Sequence, residues 1–230
     1  MNLFDPLVQV FRLVFEGFYN LTAAVGFANY GIAIILMTIL VKALMYPLTA
    51  KQVRSMKAMQ DLQPALKKLQ KDYKNNPQLL QQKMAELYKE AGANPLAGCL
   101  PLLIQMPILM GVYYCLYGYS YSGDPTFLWL TSLSDTDPLY VLPILSALTT
   151  YIQQKQTMAS NGQDNQQMKI MSYMMPLFIG WISLNFPSGL VVYWVTMNLC
   201  QIAQQWYMFR GEKKLAVEVE DASASDKKKR

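Results

Sequence analysis

Apolar residues run almost unbroken from Tyr30 to Leu48, and four later stretches repeat the pattern: Leu96–Tyr117, Leu139–Ile152, Ile170–Phe186 and Leu190–Phe209. A bilayer core takes about 20 apolar residues per helix. The pattern therefore predicts an all-α polytopic membrane protein with five transmembrane helices, over 21–50, 95–118, 138–155, 169–186 and 187–209. The third run is short, and its neighbours fix it, because dropping it would put the charged segments on opposite sides of the membrane.

Two polar regions keep a helical period. At the start, Leu3, Leu7, Val10, Phe11, Val14 and Phe18 share one face, with Gln9, Arg12 and Glu16 opposite. This predicts an amphipathic helix over 1–20 lying on the outer membrane surface, the alternative being an extension of the first span. Between spans one and two, Met59, Leu62, Leu66, Leu69 and Tyr73 form one stripe, and Leu80, Met84, Leu87 and Ala91 form another. Asn75-Asn76-Pro77 is a turn between them. The segment 51–94 is thus predicted to be an antiparallel helical hairpin, kinked or restarted at Pro64. The tail 210–230 mixes acidic, basic, Ala and Ser residues without aromatics, which predicts disorder.

Charge orients the bundle. Lys51–Pro95 carries nine Lys/Arg, the 156–168 connection is flanked by Lys155 and Lys169, and the tail carries seven. Five spans put eighteen of the twenty basic residues on one side, leaving out Arg12 and Lys42. The opposite loop, 119–137, has Asp124, Asp135 and Asp137 and no Lys or Arg. The positive-inside rule then predicts an outside N-terminus and a cytoplasmic C-terminus. Lys51, Arg54, Lys57, Lys67, Lys68, Lys71 and Lys74 crowd one half of the hairpin. Such a basic surface fits anionic headgroups or, alternatively, ribosomal RNA or a targeting factor.

Composition removes several chemistries. The chain has no histidine, so a Ser-His hydrolase or a His-ligated metal site is impossible. Cys99, Cys115 and Cys200 lie in apolar runs without metal spacing, and no cofactor is expected. The start has no basic segment followed by a compact apolar one, so a cleaved signal peptide is not expected.

One residue breaks the apolar pattern. Lys42 stands inside the first span, where an ammonium costs about 2.5–3.5 kcal/mol on insertion scales. No acidic residue lies in any span, so Lys42 has no intramembrane carboxylate partner, which weighs against a buried ion pair and favours water. Snorkelling to the headgroups and a wet cavity both remain open. Thr38 lies one turn before Lys42, Gln105 between Pro101 and Pro107, Gln153 and Gln154 at the end of span three, and Tyr193, Trp194 and Asn198 along span five. Polar groups in lipid must find partners or water, so these residues are candidates for one polar cavity. A small transporter or channel is the competing reading. The odd span count, the lack of an internal repeat and the lack of an intramembrane carboxylate weigh against it.

Four stretches carry a resemblance to a known family: Thr38-Ile39-Leu40-Val41-Lys42 leading to Pro47-Leu48; Leu62-Gln63-Pro64; Asn94-Pro95 through Gly98-Cys99-Leu100-Pro101 to Gln105-Met106-Pro107; and Asn185-Phe186-Pro187-Ser188-Gly189-Leu190 with Tyr193-Trp194. In this order the sequence resembles the YidC/Oxa/Alb family of membrane protein insertases, in a short form without a large outer domain. The resemblance implies five helices around a hydrophilic groove, open to the cytoplasm and lipid and closed to the outside. It implies that Lys42 takes the place of the family's groove arginine, with a point charge in place of a bidentate fork. Thr38, Gln105, Gln153, Tyr193 and Trp194 are then the remaining groove or substrate-contact positions. The implied partners are nascent membrane proteins, the lipid bilayer, the ribosome, the Sec translocon and targeting factors, with no small-molecule substrate and no catalytic chemistry. The implied location is the bacterial cytoplasmic (inner) membrane.

Overall fold

The computed structural model describes residues 5–92, 100–117, 119–121, 125–161 and 166–227. Leu3, Asn94-Pro95, Gly98-Cys99, Asp124, Lys228, Lys229 and Arg230 lie outside the described residues, as do the side chains of Lys57, Met59, Pro101 and Met171. The described elements are α1 (Asp5–Ala24), α2 (Tyr30–Leu44), α3 (Tyr46–Asp61), α4 (Gln63–Asp72), α5 (Pro77–Glu90), α6 (Leu100–Leu116), α7 (Val141–Asn161), α8 (Gln166–Ser183) and α9 (Ser188–Lys227).

The amphipathic start forms its own helix. Gly26 ends α1 with a φ of 87°, which glycine adopts without strain. Phe27 N–H bonds to the Thr22 carbonyl at 2.9 Å and Gly26 N–H to that of Ala23 at 3.0 Å, a Schellman cap. Asn29 then caps α2 by accepting from Ile32 N–H at 3.1 Å. The apolar face of α1 buries Phe11 and Phe15 against α2 and α6.

The first apolar run is not one straight rod. Pro47 has no N–H to continue the ladder, and α2 ends at Leu44. The chain bends by 58° into α3, which lies across α7 with lighter contact to α6 and α9. Thr49, Gln52 and Val53 are the buried residues of this α3 segment. By length and composition, no single helix among the described residues is long and apolar enough to cross a membrane, whereas the bent pair Tyr30–Leu44 with Tyr46–Ser55 is.

Beyond α3, Pro64 sits in the first turn of α4, where its missing N–H costs nothing, so the chain restarts there rather than kinking. Asn76 caps α5, accepting from Leu79 N–H at 3.2 Å. The helices α4 and α5 pack together, with Leu66 buried between half-buried Leu69, Tyr73, Leu80, Met84 and Leu87. Ala91, expected on this stripe, is exposed just past the end of α5.

The buried apolar core joins α2 and α9 to α1 and α6, while α7 packs against α9 and α8. Ala33, Ile34 and Met37 of α2 are buried with Leu190, Val191 and Val192 of α9. Between α7 and α8, the Ser146 hydroxyl donates to Ser183 Oγ at 3.0 Å. The helix α9 continues to Lys227, through the segment for which composition predicts disorder. That segment has no proline, and its Lys, Glu and Ala residues favour helix.

At one end of the bundle, 119–121 and 125–140 pack across the helices. Phe127 lies over Gly31, where any Cβ would overlap its ring. Asn29 donates to the Thr126 carbonyl at 3.1 Å. Asp137 is buried and caps the start of α7: it accepts from Leu139 N–H at 3.0 Å, from Leu142 N–H at 2.6 Å and from the Trp129 indole at 3.0 Å. The Ser188 N–H and hydroxyl both bond to the Asp135 carbonyl at 2.7 Å, and Gly189 N–H bonds to that of Leu133 at 2.9 Å. A Cβ on Gly189 would stand 3.2 Å from that same oxygen, so the Pro187-Ser188-Gly189 turn is a docking point for the loop. The Tyr119 hydroxyl donates to Glu16 at 3.2 Å, and burial with that neighbouring carboxylate pushes its pKa up to about 12.

Candidate functional site

The bend after α2 decides the surroundings of Lys42. With α2 ending at Leu44, Lys42 falls in its last turn, where unpaired carbonyls attract a cation. Its side chain turns inward and is 8% exposed. Nζ donates to Gln201 Oε1 of α9 at 2.9 Å. From the same face of α9, Gln204 Nε2 donates to the Lys42 carbonyl at 3.4 Å. Gln204 Oε1 is buried and has no hydrogen-bond partner among the described residues. The ammonium therefore meets a neutral acceptor, which offsets part of its desolvation while leaving its full charge uncancelled.

Toward the loop-covered end the polar line continues. Thr38 is buried one turn before Lys42, and its hydroxyl donates back to the Ile34 carbonyl at 2.7 Å. Gln105 Nε2 of α6 donates to the Tyr193 hydroxyl of α9 at 3.1 Å. Trp194 Nε1 donates to Thr150 Oγ1 of α7 at 3.1 Å. Asn198 Nδ2 reaches the same Thr150 oxygen at 2.9 Å and Thr149 Oγ1 at 3.2 Å. Farther along, Gln205 Nε2 donates to Thr157 Oγ1 at 3.3 Å. Gln153 is half-buried on α7, and its backbone carbonyl accepts from the Thr157 hydroxyl at 3.0 Å.

The helix α9 thus presents one polar column: Tyr193, Asn198, Gln201 and Gln205, with Trp194 and Gln204 beside it. Four helices contribute to it, and the candidate residues divide among three of its contacts. Lys42 and Thr38 belong to the α2–α9 side, and Trp194 belongs to the α7–α9 side. Gln105 joins from α6 through Tyr193. Sequence reasoning named Tyr193, Trp194 and Asn198 but missed Gln201, Gln204, Thr149 and Thr150. The signal was present for Gln201, since Asn198, Gln201 and Gln205 continue at three- and four-residue spacing, and for Gln204, three residues after Gln201. They lie near the end of the fifth run, where polar residues read as an ordinary boundary.

The basic surface is separate from this column. Lys51 and Arg54 are exposed on α3, and Lys67, Lys68 and Lys71 are exposed on α4, with Lys74 just beyond its end. On α5, Lys83 pairs with Glu86 at 2.6 Å, and this hydrogen bond raises the lysine pKa and lowers that of the carboxylate. No group of three or more metal-ligating side chains occurs among the described residues.

Comparison with known proteins adds an independent line. Residues 20–215 match the profile of the family described as 60Kd inner membrane protein. The chain is 41% identical over 217 residues to the membrane protein insertase YidC of Clostridium perfringens (strain 13 / Type A), covering 90% of this chain and 91% of that one. It is 47% identical over 180 residues to the membrane protein insertase MisCA of Bacillus subtilis (strain 168), covering 76% and 69%. Among solved structures, it matches an active YidC insertase crystal structure with the first transmembrane domain resolved, with a TM-score of 0.67 and 28% identity. That match covers 90% of this chain and 47% of that one.

Proposed function

The chain belongs to the 60Kd inner membrane protein family, the YidC/Oxa family of membrane protein insertases, and from that premise we propose how its residues carry out insertion. Its substrates are nascent membrane proteins, and it is not an enzyme. In this reading α2 with the start of α3, α6, α7, α8 and α9 are the five spans. The loop 119–140 closes the outer side, α1 lies along the outer surface, and the α4–α5 hairpin and the C-terminus are cytoplasmic. The charge asymmetry between the loops supports that orientation.

The observation that carries the mechanism is the polar column itself. Along α9, Lys42 meets Gln201, Gln105 meets Tyr193, and Trp194 and Asn198 share Thr150, within helices that are otherwise apolar. A hydrophilic segment of an incoming chain enters along this column from the cytoplasmic side. There it exchanges water for amide, hydroxyl and ammonium partners. The apolar thickness it must cross falls, and with it the desolvation barrier. Lys42 attracts acidic residues of that segment, and Thr38, Gln105, Gln153, Tyr193 and Trp194 contact it in passing. The substrate's apolar segment then slides into lipid along the flank of the bundle. The basic surface of Lys51, Arg54, Lys57, Lys67, Lys68, Lys71 and Lys74 holds the hairpin at the headgroups while the chain is received. The ribosome and the Sec translocon are its proposed partners.

Reconstitution tests this reading. A labelled single-span nascent chain is presented to proteoliposomes carrying photocrosslinkers at position 38, 105 or 194. The expected result is crosslinking of the substrate's outer segment at all three positions during insertion. Efficient insertion without crosslinks at any of them would overturn the proposed path.

A further inference from the structure

The strongest unassigned feature is the double hold of α9 on Lys42. Gln201 takes the ammonium at 2.9 Å and Gln204 takes the backbone carbonyl at 3.4 Å. Both glutamines stand on α9, one turn apart, and both face the last turn of α2. The carbonyl of Lys42 lies where the α2 ladder runs out before the 58° bend, so the Gln204 amide supplies a donor that the helix itself does not. We propose that Gln201 and Gln204 are positioning residues for the substrate-attracting charge, Gln201 by fixing the ammonium and Gln204 by fixing the helix end that carries it. This inference rests on the reading of Lys42 as the charge that attracts acidic substrate segments.

The chemistry of the partner matters as much as its position. A carboxylate at 201 would hold Nζ more tightly but would cancel its field. An apolar side chain would leave the field intact and the ammonium unheld, free to swing toward the headgroups on its flexible stem. An amide oxygen is the group that holds the charge in place and leaves it available. Gln201 therefore sets selectivity for acidic outer segments rather than the overall capacity to insert.

The experiment compares two single-span substrates, one with an acidic and one with a neutral outer segment, in proteoliposomes of the full chain. The readout is the ratio of their insertion rates in the parent, Lys42→Ala, Gln201→Met, Gln201→Glu and Gln204→Leu proteins. Lys42→Ala is expected to lower the ratio about tenfold, the scale of one lost charge-assisted contact. Gln201→Glu is expected to lower it nearly as far and Gln201→Met about threefold, the acidic substrate losing more than the neutral one in both. Gln204→Leu is expected to lower it about twofold, since a long neutral hydrogen bond is the weaker hold. Melting curves in detergent confirm that each variant folds. A ratio unchanged in Lys42→Ala would overturn the charge reading and this inference together. A ratio lowered by Lys42→Ala but unchanged by both Gln201 variants would overturn this inference alone. Equal loss of both substrates in the Gln201 variants would assign those residues to packing and overturn it as well.

Discussion

Gln105 and Tyr193, 88 residues apart, are joined by a 3.1 Å hydrogen bond from the amide to the phenol oxygen. The bond links α6 to α9, which otherwise touch only lightly. Tyr193 is buried and Gln105 half-buried, so removing the amide strands the phenol, while removing the phenol leaves the amide partly open. We expect Tyr193→Phe to destabilise the protein by about 0.5–1.5 kcal/mol, the net worth of one hydrogen bond to a half-buried amide. Adding Gln105→Leu should recover much of that loss. Thermal unfolding of the two singles and the double, as a double-mutant cycle, measures the coupling; strict additivity would show that the bond contributes nothing.

Lys42 gives the functional prediction. Lys42→Ala should slow insertion of substrates with acidic outer segments by about tenfold, and Lys42→Arg should keep most of the activity, because position and charge survive. In a background without the three cysteines, Lys42→Cys should react with a water-soluble thiol reagent added from the cytoplasmic side. Full protection of that thiol would show that water does not reach the column.

Gly31 tests the closed end. Any Cβ there overlaps the ring of Phe127, which packs across the start of α2. Gly31→Val should cost about 1–3 kcal/mol by overpacking, and Phe127→Ala should relieve part of it. Proteoliposome leakage of a small solute, measured on the same variants, reports whether this contact also seals the bundle.

Asn198 tests the α7–α9 contact. Its amide reaches both Thr149 and Thr150, and the indole of Trp194 shares the second hydroxyl. Asn198→Ala should lower stability by about 1–3 kcal/mol, whereas Trp194→Phe, which removes one donor and keeps the ring, should cost less. Urea or thermal unfolding in detergent ranks the two, and the reverse order would contradict the bonding scheme.

The basic hairpin gives a lipid prediction. Changing Lys67, Lys68, Lys71 and Lys74 to Glu should weaken docking of the α4–α5 hairpin on anionic bilayers by more than about tenfold at low salt, and raised salt should erase the difference. The measurement uses full protein in nanodiscs of zwitterionic or anionic lipid, with hydrogen exchange over α4 and α5 as readout. Protection that ignores lipid charge but rises with added ribosomes would favour the RNA alternative.

The apolar runs by themselves determined that the chain is helical and that its charges segregate, because lipid and core both select residues by a period of 3.6 and by length. They also exposed Lys42, since one ammonium in such a run has few solutions. The Asn76-Pro77 turn and a break at Pro64, as a kink or a restart, were equally legible, because each depends on the backbone chemistry of one or two residues. Tertiary structure alone decided what Lys42 meets. Gln201 lies 159 residues away, and no local pattern announces which face of α9 will turn toward α2. The bend after Leu44 placed the charge in a helix-terminal turn, and α9 supplied a neutral acceptor there. A sequence records that a buried charge needs a partner, while the packing of helices distant along the chain selects which residue it is.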